Sequence, residues 1–172
     1  RSHTFRVEID SDNCSAPPWE KCDGHGPVSD WTRRDKRAGE WVLCSDRESK
    51  RYYDFAAAMK EAKRDSWDAA PIGVGTKGEQ ALRAVTADFN YLRRWCTSQW
   101  HYAVLRVVLL DAEDEETEYD NVLGCVEYDY SSDGYWIDVA REMASEILYS
   151  VETDRHSERI ESRFHDAMEN AL

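Results

Sequence analysis

The sequence predicts an α+β fold: a mostly antiparallel sheet of about four strands with helices packed on one face, in the order ββααββαα. Four runs carry strand character and the remaining patterned runs step by three and four. The two kinds come in pairs of like type, which is the arrangement of segregated strands and helices and not of a strand–helix alternation.

The first strand is read at Thr4 to Asp10, where Phe5, Val7 and Ile9 alternate with Arg6, Glu8 and Asp10 at the period of a half-buried sheet. Residues 11 to 39 are irregular. They hold three of the four prolines with Gly24, Gly26 and Gly39, so a long ordered arm pinned by Trp19 and Trp31 is expected. "EWVLCS" (40 to 45) is the second strand. "YYDFAAAMKEAKRD" follows as a helix, with Tyr52, Phe55, Met59 and Ala62 on one face.

Pro71 and the glycines at 73, 75 and 78 interrupt the chain before a longer helix, Glu79 to Gln99, whose stripe Leu82, Val85, Phe89, Leu92 and Cys96 forms a core face. "HYAVLRVVLL" (101 to 110) is the clearest strand, with Ala103, Leu105, Val107 and Leu109 facing inward. "NVLGCVEYDY" (121 to 130) is its hairpin partner, and Gly124 marks a bulge. From Tyr135 the pattern is helical, with Trp136, Val139, Ala140, Met143, Ile147 and Val151 on one face and Asp133 as N-cap. "ETDRHSER" is expected to bend it before a last helix carrying Ile160, Phe164 and Met168.

No internal repeat or linker divides the 172 residues, so one domain over 1–172 is expected. Seven Trp, nine Tyr and four Phe supply core bodies despite a chain that is one-third charged. Cys14, Cys22, Cys44, Cys96 and Cys125 are odd in number and too sparse for a disulfide-stapled domain. A reducing cytoplasm is the expected compartment. No run is long and apolar enough to span a bilayer, and no signal segment is read at the start.

The net charge of −13 is concentrated. Residues 1–106 balance at +2, residues 107–140 hold 11 acidic and no basic residues, and 141–172 contribute −4. Within the acidic window, "DAEDEETEYD" (111 to 120) has seven carboxylates. It is not an EF-hand, since neither the sixth-position Gly nor the twelfth-position Glu is in place from Asp111 or Asp114. A charge run is ordinarily a solvated loop. Here Glu127, Asp129 and Asp133 continue it, interleaved with Tyr119, Tyr128 and Tyr130, and aromatics beside charge characterise contact surfaces.

The partner-binding residues read from this pattern are Asp111, Glu113, Asp114, Glu115, Glu116, Glu118, Tyr119, Asp120, Glu127, Tyr128, Asp129, Tyr130 and Asp133. A surface of this sign draws a basic, DNA-binding protein by the field that draws it to DNA. It also repels nucleic acid itself, so no direct nucleic-acid partner and no membrane partner are expected; self-association stays open.

Other patterns are weaker. Cys14, Cys22, Asp23 and His25, with Cys44, have zinc-ligand chemistry but not zinc-site spacing. A metal-dependent enzyme or regulator on the Cys22/His25 loop is the first alternative, and a structural or assembly protein the second. "GVGTKG" (73 to 78) matches a dinucleotide fingerprint without its preceding strand or the carboxylate about twenty residues on. "RRDKR" (33 to 37), with Arg47, Lys50 and Arg51, is interleaved with acids. His101, His156 and His165 belong to no nucleophile–base pattern. No catalytic residue, metal or cofactor is assigned.

"PWEKCDGHGPVSDW" (18 to 31) and "GEWVLCSDRESKRYYDFAAAMKEAKRDSWD" after it resemble a family of small phage-encoded proteins of uncharacterised function that carry a W-E-x-x-D-G-H-G-P-V-S-x-W stretch. The resemblance implies a phage or prophage origin and action in bacterial cytoplasm. It carries no known activity. Together with the acidity it points to an inhibitor of a host DNA-handling or defence protein, of the anti-restriction or anti-CRISPR class, presenting a DNA-like acidic surface.

Overall fold

The computed structural model describes residues 3–13, 16–22, 24–67, 74–129 and 134–169. Its elements are β1 (Thr4–Ser11), α1 (Pro18–Lys21), β2 (Glu40–Asp46), β3 (Ser49–Asp54), α2 (Phe55–Asp65), α3 (Lys77–Cys96), β4 (Trp100–Leu110), β5 (Glu116–Asp129) and α4 (Tyr135–Glu169). The fold is α+β with antiparallel sheets and helices packed against them. The strands divide between two sheets, β1-β4-β5 and β2-β3. They belong to two compact units, Arg1–Asn13 with Tyr102–Leu172 (unit 1) and Cys14–His101 (unit 2), where length and the absence of a linker predict one domain.

In unit 1, β1 and β4 pair in the register Phe5↔Leu109, Val7↔Val107 and Ile9↔Leu105. Leu105, Val107 and Leu109 then face Val139, Ala140, Met143, Ile147 and Val151 of α4, the stripe the sequence predicts. Along β5 the half-buried residues are odd-numbered up to Asn121, whereas Val126 and Tyr128 are the inward ones beyond. Cys125, at φ 61°, supplies the extra residue that shifts this parity, so the expected bulge sits at Gly124–Cys125.

α4 runs unbroken through "ETDRHSER". It contains no glycine or proline, and Glu and Arg favour a helix wherever packing makes no demand. Beyond Val151, which is buried, residues 152–163 are exposed. Ile160 is among them; the side chains of Phe164 and Met168 lie outside the described residues, as do Pro71, Gly73 and Asp133.

Unit 2 corrects the sequence reading in two places. Tyr52 and Tyr53 are not the start of a helix but the end of β3, both buried and paired with Val42 and Trp41. The turn between the strands uses Arg47 at φ 51°, and helix α2 begins only after Asp54, whose side chain caps Ala57 N at 2.9 Å. On α3 the inward stripe is Ala81, Ala84, Val85, Phe89 and Leu92, with Leu82 turned outward. Small alanines allow α2 and α3 to approach closely, a signal a bulk-hydrophobic stripe overlooks.

The irregular arm is ordered along its described residues by pairing beside β3: Val28 bridges Tyr53 and Thr32 bridges Lys50. Trp19 meets Trp95 edge-on at 5.3 Å. The Arg51 guanidinium stacks over Trp19 at 5.4 Å and Trp31 at 5.2 Å. Arg34 and Arg51 of the basic cluster are thus engaged within unit 2. Arg34 grips Glu40 with two hydrogen bonds of 2.7 and 2.6 Å, and the Arg37 backbone N–H donates to the same carboxylate.

Glu40 is only 7% exposed, and Arg34 lowers its pKa from 4.5 to about 2. A carboxyl depressed on folding stabilises the fold at pH above its unfolded value and loses that contribution as pH falls through the folded one. Glu40→Gln is therefore expected to be less stable than wild type at pH 7, with the gap in Tm closing between pH 4.5 and about 2. A gap independent of pH over that window contradicts the assignment.

Candidate functional site

Two constellations of polar residues stand out, one in each unit. The first is the β4–β5 hairpin. Its turn, 111–115, is held by Asp111, whose Oδ1 accepts from the N–H groups of Glu113 and Glu115 at 2.9 Å each. Asp114 takes φ 62°, a conformation Asp tolerates better than most residues. Part of the segment read as a link is strand, since β5 begins at Glu116. Period-two alternation was present there but written in Thr117 and Tyr119 between acids, not in aliphatic residues.

The hairpin base is tied to cations of its own sheet. Arg106 Nη1 contacts Glu8 at 3.1 Å, its Nη2 contacts Glu116 at 3.0 Å and its Nε contacts Asp120 at 2.9 Å. Arg6 reaches the other oxygen of Glu116 at 2.7 Å. Glu116 first of all, then Asp120 and Glu8, push Arg106 up, and Arg106 in turn lowers Glu116. Exposed pairs are individually weak, but a network that shares one guanidinium is more constrained.

Among the described residues, Glu113, Asp114 and Glu115 of the tip, with Glu118 further along, form no salt bridge, although Arg6 reaches the Asp114 carbonyl at 3.4 Å; all four are exposed. Glu118 and Asp120 line a cleft of about 300 Å³ with Glu146 and Asp154 of α4. Thus the structure sorts the carboxylates of 111–120 into a turn former, an ion-paired base and a tip without salt bridges among the described residues. The tyrosines part from the acids: Tyr119 packs on the α4 cluster and donates to Asp154 at 3.2 Å, and Tyr128 packs on Trp136 at 5.9 Å. They do not interleave with the exposed carboxylates as expected. Glu127 is exposed and Asp129 half-buried at the far end of β5, away from the tip; Tyr130 and Asp133 lie outside the described residues.

A structural role competes for the same acids. In the order β1-β4-β5, β5 is an edge strand, and carboxylates on an edge oppose pairing with another copy.

The second constellation was missed in the sequence because Asp88 lies far from the loop it serves. Its Oδ1 contacts His25 Nδ1 at 2.6 Å, and its Oδ2 accepts from Gly26 N at 2.9 Å and Tyr53 Oη at 2.6 Å. His25 also stacks on Tyr91 at 5.6 Å. Burial, then Asp88, raises Tyr53 far above the ordinary phenol range. Gly26 is required by space: a Cβ there would meet the Tyr53 phenol and Ala58 Cβ, the latter at 2.7 Å. An acid-bound histidine is the orienting half of a general base. The adjoining cavity of about 460 Å³ is lined by Gly24, His25, Trp67, Ala84, Ala87, Asp88 and Tyr91, with no Ser, Thr or Cys among these lining residues. The cluster locks the "GHGP" loop onto α3.

Among the described residues no group of three or more His, Cys, Asp or Glu could hold a metal, and Cys14 and Asp23 of the zinc alternative lie outside them. The phosphate alternative meets a filled helix end. Thr76 and Glu79 form a capping box on α3, with Thr76 N donating to Glu79 at 2.7 Å, so a carboxylate already occupies the place of an anion. No described helix is long and apolar enough to cross a membrane. No family model, no curated protein and no solved structure matches the chain.

Asp88→Ala leaves a buried phenol and a backbone N–H without their acceptor, and is expected to cost about 3 kcal/mol in urea denaturation. Tyr53→Phe, which removes one of the three donors to Asp88 but leaves its bonds to His25 and Gly26, should cost about 1 kcal/mol. Equal, near-zero costs would contradict the locking role.

Proposed function

We propose that the protein acts by binding: unit 1 presents the hairpin tip to a basic surface on a DNA-handling or defence protein of a bacterial host and blocks it, in the manner of phage anti-defence inhibitors. The observation that carries this reading is the segregation of charge. Unit 1 holds 22 acidic and 7 basic residues, unit 2 13 acidic and 15 basic, so the excess belongs to one folded unit. Within it, α4 interleaves its acids with Arg141, Arg155, Arg159 and Arg163, whereas 111–120 contains no cation.

The likeness to DNA in this reading is one of field. Successive same-face carboxylates on a strand stand about 6.7 Å apart, against one duplex charge per about 1.7 Å, and Arg6 and Arg106 offset the hairpin base. A concentrated tip attracts a basic groove and is screened over about 8 Å at physiological salt.

The test is capture from bacterial lysate by wild type and by a variant carrying Glu113→Gln, Asp114→Asn, Glu115→Gln and Glu118→Gln, with Glu116 and Asp120 left in their ion pairs. A DNA-binding protein retained by wild type alone and released by duplex DNA is the expected result. Identical retention by both forms overturns the reading. If the variant instead gains self-association at unchanged capture, the acids serve the β5 edge.

A further inference from the structure

Helix α3 lies along β2, and its last residue, Cys96, comes to rest beside Cys44. The β2–β3 register slips between Val42 and Cys44, which places Leu43 in the core and leaves Cys44 on the rim. Both thiols line the same cavity where α3 packs on β2, and each acts on the titration of the other. Both are free and partly exposed. They open on one cavity of about 760 Å³ that also carries Lys36, Asn90 and Arg93, cations suited to a small anionic thiol compound. Neither residue has a part in the acidic hairpin or in the Asp88 cluster.

We infer that Cys44 and Cys96 form a dithiol site that exchanges with an anionic low-molecular-weight disulfide of the glutathione type, closing a reversible disulfide between β2 and the end of α3.

The roles of the two sulfurs differ. The neighbouring Cys96 first, then Arg51, lowers Cys44 against the cost of burial, whereas Cys44 and burial raise Cys96. Cys44 is therefore the attacking thiolate. It adds to one sulfur of the incoming disulfide, whose S–S bond breaks, and the first small thiolate leaves with the electron pair and takes a proton from solvent. Cys96 then loses its proton to solvent and attacks the Cys44 sulfur, expelling the second small thiolate. Two protein thiols are oxidised to one disulfide, and one small disulfide is reduced to two thiols. The bridge ties β2 to the end of α3 and closes a loop that contains β3 and α2, so oxidation should raise the Tm of unit 2.

The experiment exposes the full chain, native and in urea, to oxidised glutathione, followed by differential alkylation and peptide mapping. The native protein is expected to lose two hydrogens and yield a Cys44–Cys96 linked peptide, and reduced glutathione should reverse it. Cys96→Ser should accumulate glutathione on Cys44, while Cys44→Ser should react at Cys96 at least about tenfold more slowly. No link in the native wild type, a link that pairs other cysteines, or equal rates in the two variants overturns the proposal. Because the wild-type map needs no substitution, a variant that fails to fold leaves the test intact.

Discussion

A single guanidinium at the middle of β4 meets a carboxylate from each neighbouring strand: Arg106 binds Glu8 of β1 and both Glu116 and Asp120 of β5. The acidity of unit 1 is tolerable because of this contact. Strands carrying so many like charges repel one another when they pair, and Arg106, assisted by Arg6 on Glu116, converts the repulsion at the hairpin base into attraction. The register of β5, the position of its turn and the exposure of the tip all follow from where those three carboxylates are held. Behind the sheet, α4 covers the opposite face with an uninterrupted aliphatic stripe. One face is therefore fixed by burial and the other by charge.

Unit 2 solves a different problem with the same economy of polar groups. Its arm has little regular structure, yet the Asp88 carboxylate satisfies three donors from two separated segments, and Arg34 and Arg37 converge on Glu40. Around Tyr53 the rings of Trp41, Phe55 and Phe89 pack at 4.0 to 6.3 Å, which supplies the apolar body an irregular arm needs to dock on. Buried carboxylates with complete sets of donors hold such a loop in one conformation; a half-satisfied set would not.

The parts of the fold legible in the sequence were those written in apolar periodicity: β1, β2, α3, β4 and the first half of α4. β3 escaped because "RYYD" runs directly into a strong helix former, and helix propensity gave no weight to two tyrosines that the core claims. Half of β5 escaped because its alternation is written in acids. The acidic cluster was visible as composition, but its division into an ion-paired base and an exposed tip depends on Arg6, more than a hundred residues away in sequence. The Asp88 site was invisible for the same reason: His25 carried a signal, and its partner stood in the middle of an ordinary amphipathic helix.

The account rests on the claim that the negative charge of unit 1 is most concentrated at the hairpin tip, where 111–120 holds seven carboxylates and no cation. Titrating the ¹⁵N-labelled protein with a short lysine-rich peptide, at low and at high salt, addresses this without knowledge of the natural partner. Amide shifts confined to residues 113–118 at low salt, and abolished at high salt, are the predicted result. Shifts of equal size along the exposed half of α4, or none at the tip, would contradict it.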